Sequence, residues 1–398
     1  MTIIGVNWAG NASSPTLTRI GHDGTNGTYT GPASGGTLFN SFGTWENMRR
    51  VNLWDDGTVT STWGTRCYID TNTGSLGQVM VQIPAFLCYM ETYYYGSGEA
   101  RFYIADMGDI GSTVTLHSGL THTLTEADTH QLFVVDGNYV DYAYVSAFEG
   151  YLNQNTIMID SVAGVTPTTF ETNTVARSYA EARDTGWELM NIQALSALQL
   201  LYIIEYASLN SQSAIGNGIT GAGALANTGA TGTTGTDRGN LSYGTTGNST
   251  TAMSYRGIEN LWGNQRTVID GLNVNTSLAA WIAPQSRTRP TYYQWADYAS
   301  PYVSYGTILN GAGGSWIKAM IPTGIFGANT CYFLPITGSG SASTYFCDET
   351  WMASTGNNVL VAGGLYNDGT AAGIFAQRYE VVDTVAEGAR LQYIPSAE

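Results

Sequence analysis

The stretch NIQALSALQLLYIIEYASL, residues 191–209, carries the longest helical pattern in a sequence that otherwise favours strands. Its apolar residues cover more than one face of a helix, which predicts a deeply buried helix over about Ile192–Leu209. Asn191 stands directly before it and is a good N-cap. This segment therefore predicts a buried helix in a chain that otherwise favours strands.

Polar residues interrupt the same stretch. Gln193, Gln199 and Glu205 break the apolar run, which falls short of the ~20 apolar residues of a membrane span. We interpret Glu205 as a structural carboxylate bound by backbone groups or by an arginine, because an unpaired buried charge is costly. The chain also begins without a positive, apolar export signal, so we expect a soluble protein that leaves the cell by lysis or assembly.

A second helix is predicted just upstream, over about Thr174–Asp184, with Asn173 or Thr174 as its cap and Gly186 at its end. Elsewhere, turn signals recur every eight to twelve residues between short β-branched runs. These runs predict strands, with Pro84 ending the first of them or placing it on a sheet edge. The expected strands are Gly77–Phe86, Ala100–Ala105, Thr113–His117, and a pair, Leu132–Val135 and Tyr139–Phe148, joined at Asp136-Gly137.

The composition excludes several classes of protein. Of 398 residues only 12% are charged, and 15 Lys+Arg against 31 Asp+Glu give a net charge of −16. This balance excludes a basic nucleic-acid binder, and a hydrophobic content of 43% excludes wholesale disorder. With 49 glycines and many Thr, Ser and Asn, the surface must be covered by neutral polar groups, as in many extracellular and virion β proteins.

The residues that usually carry catalysis form no convincing cluster. All four histidines precede residue 131, and no glycine-rich stretch is followed by the lysine and helix of a phosphate loop. Asp348-Glu349 and Tyr366-Asn367-Asp368 offer oxygen ligands for calcium, but we interpret them as turn residues. We therefore expect no enzymatic activity, no metal and no cofactor. Cys331 and Cys347 are expected either to form a disulfide or to remain buried thiols.

The segments near the carboxyl end are rich in Tyr, Asn, Gln and Arg, the residue types that dominate recognition surfaces. We expect them to lie on one exposed face, flanked by buried strands at Val359–Val361 and Ala389–Leu391. The predicted ligand-binding residues are Tyr366, Asn367, Asp368, Gln377, Arg378 and Tyr379. If they do not bind ligand, the alternative surface is the long Gly/Thr-rich loop at 216–251, which exceeds a normal connection.

One motif is specific enough to suggest a family. Tyr255–Asn264 (YRGIENLWGN), followed by Val268–Asn273 (VIDGLN), resembles a signature of C-type-lectin-like domains. These domains are related to the formylglycine-generating enzyme and occur in phage tail proteins and in variable proteins of diversity-generating retroelements. The helix pair and the closing segment from Gly363 to Leu391 are similar to the same group. We expect Arg256, Trp262, Asn264 and Asp270 of this region to be scaffold rather than site.

The resemblance has limits that affect function. The enzyme's active-site cysteine motif and the calcium-dependent sugar-binding motif are both absent from the sequence. Neither role is therefore carried over to this chain.

The resemblance covers most of residues 75–398, and together with the strand pattern it predicts an α+β fold in two parts. Residues 1–120, where turn signals and short runs predict strands throughout, would form a β-rich region for virion attachment or assembly. Residues 121–398 would form a C-type-lectin-like domain with two helices, short twisted antiparallel sheets and a Gly/Thr-rich insertion at about 216–251.

The function implied is that of a phage virion protein, assembled in the host cytoplasm and acting outside the cell. It would be a receptor-binding or tail-fibre-tip component. Its partners would be a host cell-surface receptor, protein or glycan, and other virion proteins, in a homotrimer without nucleic acid or membrane insertion. The alternative is a capsid decoration or head-fibre protein with a purely structural role.

Overall fold

The computed structural model describes residues 2–9, 12–61, 77–92, 99–116, 118–231, 242–287, 295–310, 312–320, 331–352, 356–384 and 387–396. The protein is mixed α/β and strand-rich. This confirms the coarse fold class that the sequence predicts.

The α-helices are α1 (Gly43–Glu46), α2 (Asn173–Glu181), α3 (Ile192–Tyr206) and α4 (Ser211–Ala214). Helix α3 begins as predicted, since the Asn191 side chain accepts a hydrogen bond from the Ala194 N–H at 3.0 Å. It ends three residues before Leu209, because Ala207 takes a left-handed conformation with φ 49°. The cap of α2 is Thr172 and not Asn173 or Thr174.

The strands before α3 are β1 (Ile4–Ala9), β2 (Thr18–Gly21), β3 (Arg49–Leu53), β4 (Val59–Ser61), β5 (Gln78–Pro84), β6 (Phe86–Thr92), β7 (Glu99–Asp106), β8 (Thr113–Thr115), β9 (Thr121–Thr123), β10 (Val134–Val135), β11 (Asn138–Tyr139), β12 (Tyr142–Ser146), β13 (Tyr151–Asn153), β14 (Met158–Asp160) and β15 (Trp187–Leu189). Those after it are β16 (Ser254–Tyr255), β17 (Ile258–Glu259), β18 (Thr267–Val274), β19 (Ala279–Ile282), β20 (Val303–Thr307), β21 (Ser315–Trp316), β22 (Ala319–Met320), β23 (Pro335–Thr337), β24 (Glu349–Met352), β25 (Asn358–Ala362), β26 (Gln377–Val381) and β27 (Leu391–Tyr393).

Several predicted strands are found at the expected positions, but their lengths differ from those predicted. Strand β5 ends at Pro84 as expected, and β7 lies over the predicted Ala100–Ala105. The Asp136-Gly137 turn does join a hairpin, but it is a short one between β10 and β11. The predicted strand Tyr139–Phe148 is divided, because its second half, β12, pairs with β5 and β27 instead.

Three larger sheets form the framework. Their strand orders are β2-β1-β7-β6, β15-β27-β12-β5-β3-β4 and β20-β19-β18-β25-β26-β24-β21. Pairing in them is antiparallel except between β24 and β26. In the second sheet β5 pairs with β12, and β3 and β4 continue the same sheet, so backbone pairing crosses the boundary that the sequence suggests at residue 120.

Helix α3 lies inside the framework and is buried on every face from Ile192 to Glu205. The side-chain amide N–H groups of its two glutamines donate to backbone carbonyls. Gln193 Nε2 donates to the Ala283 carbonyl at 2.6 Å, and Gln199 Nε2 donates to that of Ile374 at 2.9 Å. Within the described part of the chain, no helix combines the length and apolarity needed to cross a membrane.

Glu205 closes the last turn of α3 and is fully buried. Its Oε2 accepts a hydrogen bond from Arg256 Nε at 2.9 Å, and its Oε1 accepts one from the Gly36 N–H at 2.9 Å and another from Arg256 Nη2. The guanidinium also donates to Asn40 Oδ1 at 2.6 Å. The structural role predicted for Glu205 is confirmed, and Arg256 is its partner.

The other residues of the Trp-Gly-Asn region are buried as well. Trp262 Nε1 donates to the Gly216 carbonyl at 3.1 Å. Asp270 holds Arg177, whose Nε lies 2.8 Å from its Oδ2. Asn264 is fully buried. These contacts place the motif in the framework, as expected.

The cysteine pair considered from sequence does not form. Cys331 and Cys347 are both free, buried thiols. Cys331 Sγ lies instead 3.7 Å from Cys88 Sγ. Burial raises the pKa of Cys347 to about 12, so this thiol is unreactive at neutral pH. Cys67 lies outside the described residues.

We predict that Glu205→Gln destabilises the protein by about 3–5 kcal/mol, because it leaves the Arg256 charge buried without its counter-ion. Urea unfolding measures the change. The matched control is Asp55→Asn, which breaks the Arg183 pair at a side chain that is 47% exposed and leaves Arg183 bound to Asp160. The control should cost less than about 1 kcal/mol. Equal losses in the two variants would contradict the role given to Glu205.

Candidate functional site

A cleft of about 510 Å³ opens beside the turn that follows β25. One wall is Leu365 and Tyr366 of that turn, and another is Ala224 and Leu225 of the Gly/Thr-rich insertion. The side chains of Tyr366, Leu365 and Leu225 are half-buried, so they offer apolar surface to the cleft. The volume lies within the usual range of small-molecule sites.

Polar side chains form the rim and the floor. Thr166 and Thr169 are exposed at the rim, whereas Gln265, Arg266 and Glu387 line the interior. Gln265 Nε2 donates to Thr169 Oγ1 at 2.8 Å, and this hydrogen bond connects the floor of the cleft to its rim. The cleft thus combines hydroxyl, amide and carboxylate groups with one aromatic ring.

The charge of Arg266 is balanced inside the site. Its Nη2 lies 2.8 Å from Asp368 Oδ1 and 2.9 Å from Oδ2, and its Nε lies 3.1 Å from Oδ2. On the other side Arg266 Nη1 lies 3.4 Å from Glu387 Oε1. Since one guanidinium faces two carboxylates, the cleft has no excess positive charge.

Glu387 is the carboxylate at the floor of the cleft. Burial raises its pKa to about 7, and the neighbouring guanidinium groups of Arg266 and Arg378 only partly offset that effect. Its hydrogen bond to Arg266, the one it makes among the described side chains, is at the long limit of such contacts. The group therefore has unused accepting capacity in the ionised form.

The insertion is fixed to the core by a carboxylate that the sequence analysis missed. Buried Glu259 accepts hydrogen bonds from the Gly229 N–H, the Thr231 N–H and the Thr231 hydroxyl, each at 2.6 Å. The donors are mainly backbone groups of a featureless Gly/Thr/Ala tract, which leave no side-chain pattern in the sequence. This part of the predicted loop is therefore docked, with Thr228, Gly229 and Thr231 buried.

A second buried carboxylate supports the floor from below. Glu149 accepts from Asn264 Nδ2 at 2.7 Å, from Asn260 Nδ2 at 2.9 Å and from the Gln265 N–H at 3.0 Å. Burial raises its pKa to about 7, against the opposing effects of the Arg390 charge and the two amide donors. Asn264 Oδ1 also accepts from the Ala226 N–H at 2.7 Å, and Asn264 Nδ2 donates to the Ala226 carbonyl at 3.1 Å. The floor and one wall of the cleft thus share one hydrogen-bond network.

Of the six site residues predicted from sequence, those in the turn after β25 lie at the cleft. Tyr366 lines it, Asn367 is exposed beside it, and Asp368 holds Arg266. Asp368 also accepts from the Leu365 N–H at 2.7 Å, which closes the turn. Its oxygens are thereby engaged within the protein.

The expectation of one exposed face is wrong for Gln377 and Tyr379, which are only 2% and 0% exposed. Tyr379 Oη donates to Gln377 Oε1 at 2.6 Å, and Gln377 Nε2 donates to the Phe333 carbonyl at 2.6 Å. Side chains alternate along a strand, so these two point inward together. Arg378 points outward, with its guanidinium 3.6 Å from the Trp351 ring centroid.

The candidate calcium ligands have structural partners. Asp348 is buried and accepts from the Phe375 N–H at 2.8 Å, and burial holds its pKa well above the usual range. Among the described residues, no three His, Cys, Asp or Glu side chains are grouped as a metal site would require. The turn interpretation of Asp368 also fits its bond to Leu365.

The arrangement suits reversible binding of a small polar group. It offers hydroxyl groups, a carboxylate and an aromatic ring on loops that a buried network holds in place. No protein-family model matches this chain, and no curated protein matches it in sequence. The chemistry of the cleft itself therefore carries the functional argument.

We predict that Tyr379→Ala lowers the free energy of unfolding by about 3–5 kcal/mol, as expected for a fully buried aromatic residue. Tyr366→Ala is the matched variant at a half-buried loop position and should cost about 1 kcal/mol or less. Urea unfolding of both proteins tests the assignment. A large loss for Tyr366 with little for Tyr379 would reverse it.

We also predict a pH effect at Glu387. Because its pKa is raised when folded, ionisation is harder in the folded state, and stability is lost as pH rises from the ordinary carboxyl range towards 7. The Glu387→Gln variant lacks this group. The difference between its free energy of unfolding and that of the natural protein should therefore rise, in favour of the variant, by on the order of 2 kcal/mol from pH 5 to pH 7.5. Urea unfolding at several pH values measures this difference. Parallel pH profiles would exclude a raised pKa at Glu387.

Proposed function

We propose that this chain is a phage virion protein that recognises the host cell surface, as a receptor-binding or tail-fibre-tip component. Residues 121–398 act as a C-type-lectin-like recognition domain, and residues 1–120 contribute to attachment within the virion. The protein binds its receptor without catalysis and works beside other virion proteins.

The observation that supports recognition most directly is the cleft at Tyr366. Binding residues are commonly found on loops that a rigid scaffold positions. Here the walls are loops, and the Glu149 and Glu259 networks fix them to a buried frame. Asn367, which follows Tyr366 directly, is exposed and extends the accessible polar surface.

The surface composition supports a virion setting. Few charges and many neutral polar residues suit a protein exposed outside the cell. Large apolar side chains that remain exposed, among them Leu38, Leu120 and Val303, are available for contacts between subunits. A homotrimer with further virion contacts would cover such residues.

Two measurements on purified virions and protein test this function. Gold-labelled antibodies should mark the tail tip, and added protein should compete with virions for adsorption to host cells. Tyr366→Ala should compete at least about tenfold more weakly, as an aromatic contact residue at a binding site would. Tyr139→Ala is the control, because Tyr139 is an exposed tyrosine outside the cleft lining. Labelling confined to the head, without competition, would favour the decoration or head-fibre alternative.

A further inference from the structure

We propose that the cleft binds a neutral carbohydrate, such as a terminal sugar of an uncharged bacterial surface polysaccharide. This inference rests on the proposed recognition function and names its ligand class. The sugar ring would pack against Tyr366, and its hydroxyl groups would bond to Glu387 and the two rim threonines.

The charges in the cleft select against anionic ligands. Arg266 is the cation among the described residues that line the cleft, and it is engaged by Asp368 and Glu387. A phosphate or sugar carboxylate would meet a guanidinium whose charge is already compensated, next to a carboxylate that repels it. Whether Glu387 is neutral or ionised, the balance of these groups never becomes positive. A neutral ligand is not repelled by the Glu387 carboxylate and does not need an uncompensated positive charge.

The hydrogen-bonding groups match hydroxyls, which both donate and accept. Thr169 Oγ1 accepts from Gln265 Nε2, so its own proton remains available to donate. Thr166 Oγ1 donates to Asn227 Oδ1 at 2.7 Å, so its lone pairs remain available to accept. The Glu387 carboxylate can accept from one or two ligand hydroxyls beside its long contact to Arg266. The site thus supplies donor and acceptor in one small volume.

The apolar part of the cleft suits the other side of a sugar. A pyranose ring presents C–H groups on its faces, and an aromatic ring packs well against such a surface while keeping its polar tip in water. Tyr366 is half-buried at the wall, and its backbone N–H donates to the Asn264 carbonyl at 2.9 Å. Because the Tyr366 carbonyl also accepts from the Ala222 N–H at 2.8 Å, the turn and the insertion wall are joined. Tyr366 is therefore a positioned aromatic platform.

The test uses the full chain on a printed array of neutral, phosphorylated and uronic-acid-containing bacterial oligosaccharides, with and without EDTA. We expect binding to neutral glycans that persists in EDTA and weakens at least about tenfold in both Tyr366→Ala and Glu387→Gln. Circular dichroism establishes that each variant is folded, and Tyr139→Ala should bind like the natural protein. Binding only to anionic glycans, or neutral binding that both variants retain, would overturn the proposal.

Treatment of host cells separates this inference from the proposed function. Periodate, which cleaves vicinal diols, should abolish the competition between added protein and virions, whereas protease should not. If protease abolishes competition and periodate does not, the receptor is a protein, and the carbohydrate inference fails while receptor recognition stands. If the protein binds neutral glycans but neither competes for adsorption nor labels the virion tip, the carbohydrate inference stands and the proposed function fails.

Discussion

Glu205 places a negative charge in the interior, at the end of a helix that is buried on every face. A charge in that position destabilises the protein unless it is paired and fully hydrogen-bonded. Arg256 and the Gly36 N–H meet this requirement, and they come from segments far apart in the chain. Satisfying one carboxylate therefore fixes the relative positions of the amino-terminal region, α3 and the Trp-Gly-Asn region. Sheets and loops pack around that fixed point.

The same principle governs the candidate site. Although only 12% of the residues are charged, Arg50, Glu149, Glu259 and Arg390 are all buried. Several of their bonds go to the backbone of loops rather than to other ions, as when Arg50 Nε donates to the Gly257 carbonyl at 2.7 Å. Buried charges thus act here as anchors for irregular chain. A Gly/Thr-rich insertion with little apolar surface of its own can then form a stable wall.

The sequence predictions are accurate where a feature depends on residues close together in the chain, and less accurate where it depends on tertiary contacts. The start of α3 at Ile192 depends on the local Asn191 cap and was predicted correctly. The partners of Glu205 and Glu259 depend on tertiary contacts, so only the role of Glu205, and not its position in the fold, was foreseeable. The error at Gln377 and Tyr379 was avoidable, because strand alternation separates both from Arg378. The cleft required the fold, since its residues come from five separate segments.

Strand β27 has an interior place in the six-stranded sheet, between β15 and β12. Residues 391–393 are synthesised long after β12 and β15, the two strands that pair with them. During synthesis β12 and β15 therefore each have an edge without its β27 partner. Unpaired edges are prone to join other chains, and pairing over such distances along the chain is slow. A truncation before Leu391 would leave that gap permanently open in the middle of the sheet. The six-stranded sheet is therefore continuous only after residues 391–393 have been synthesised.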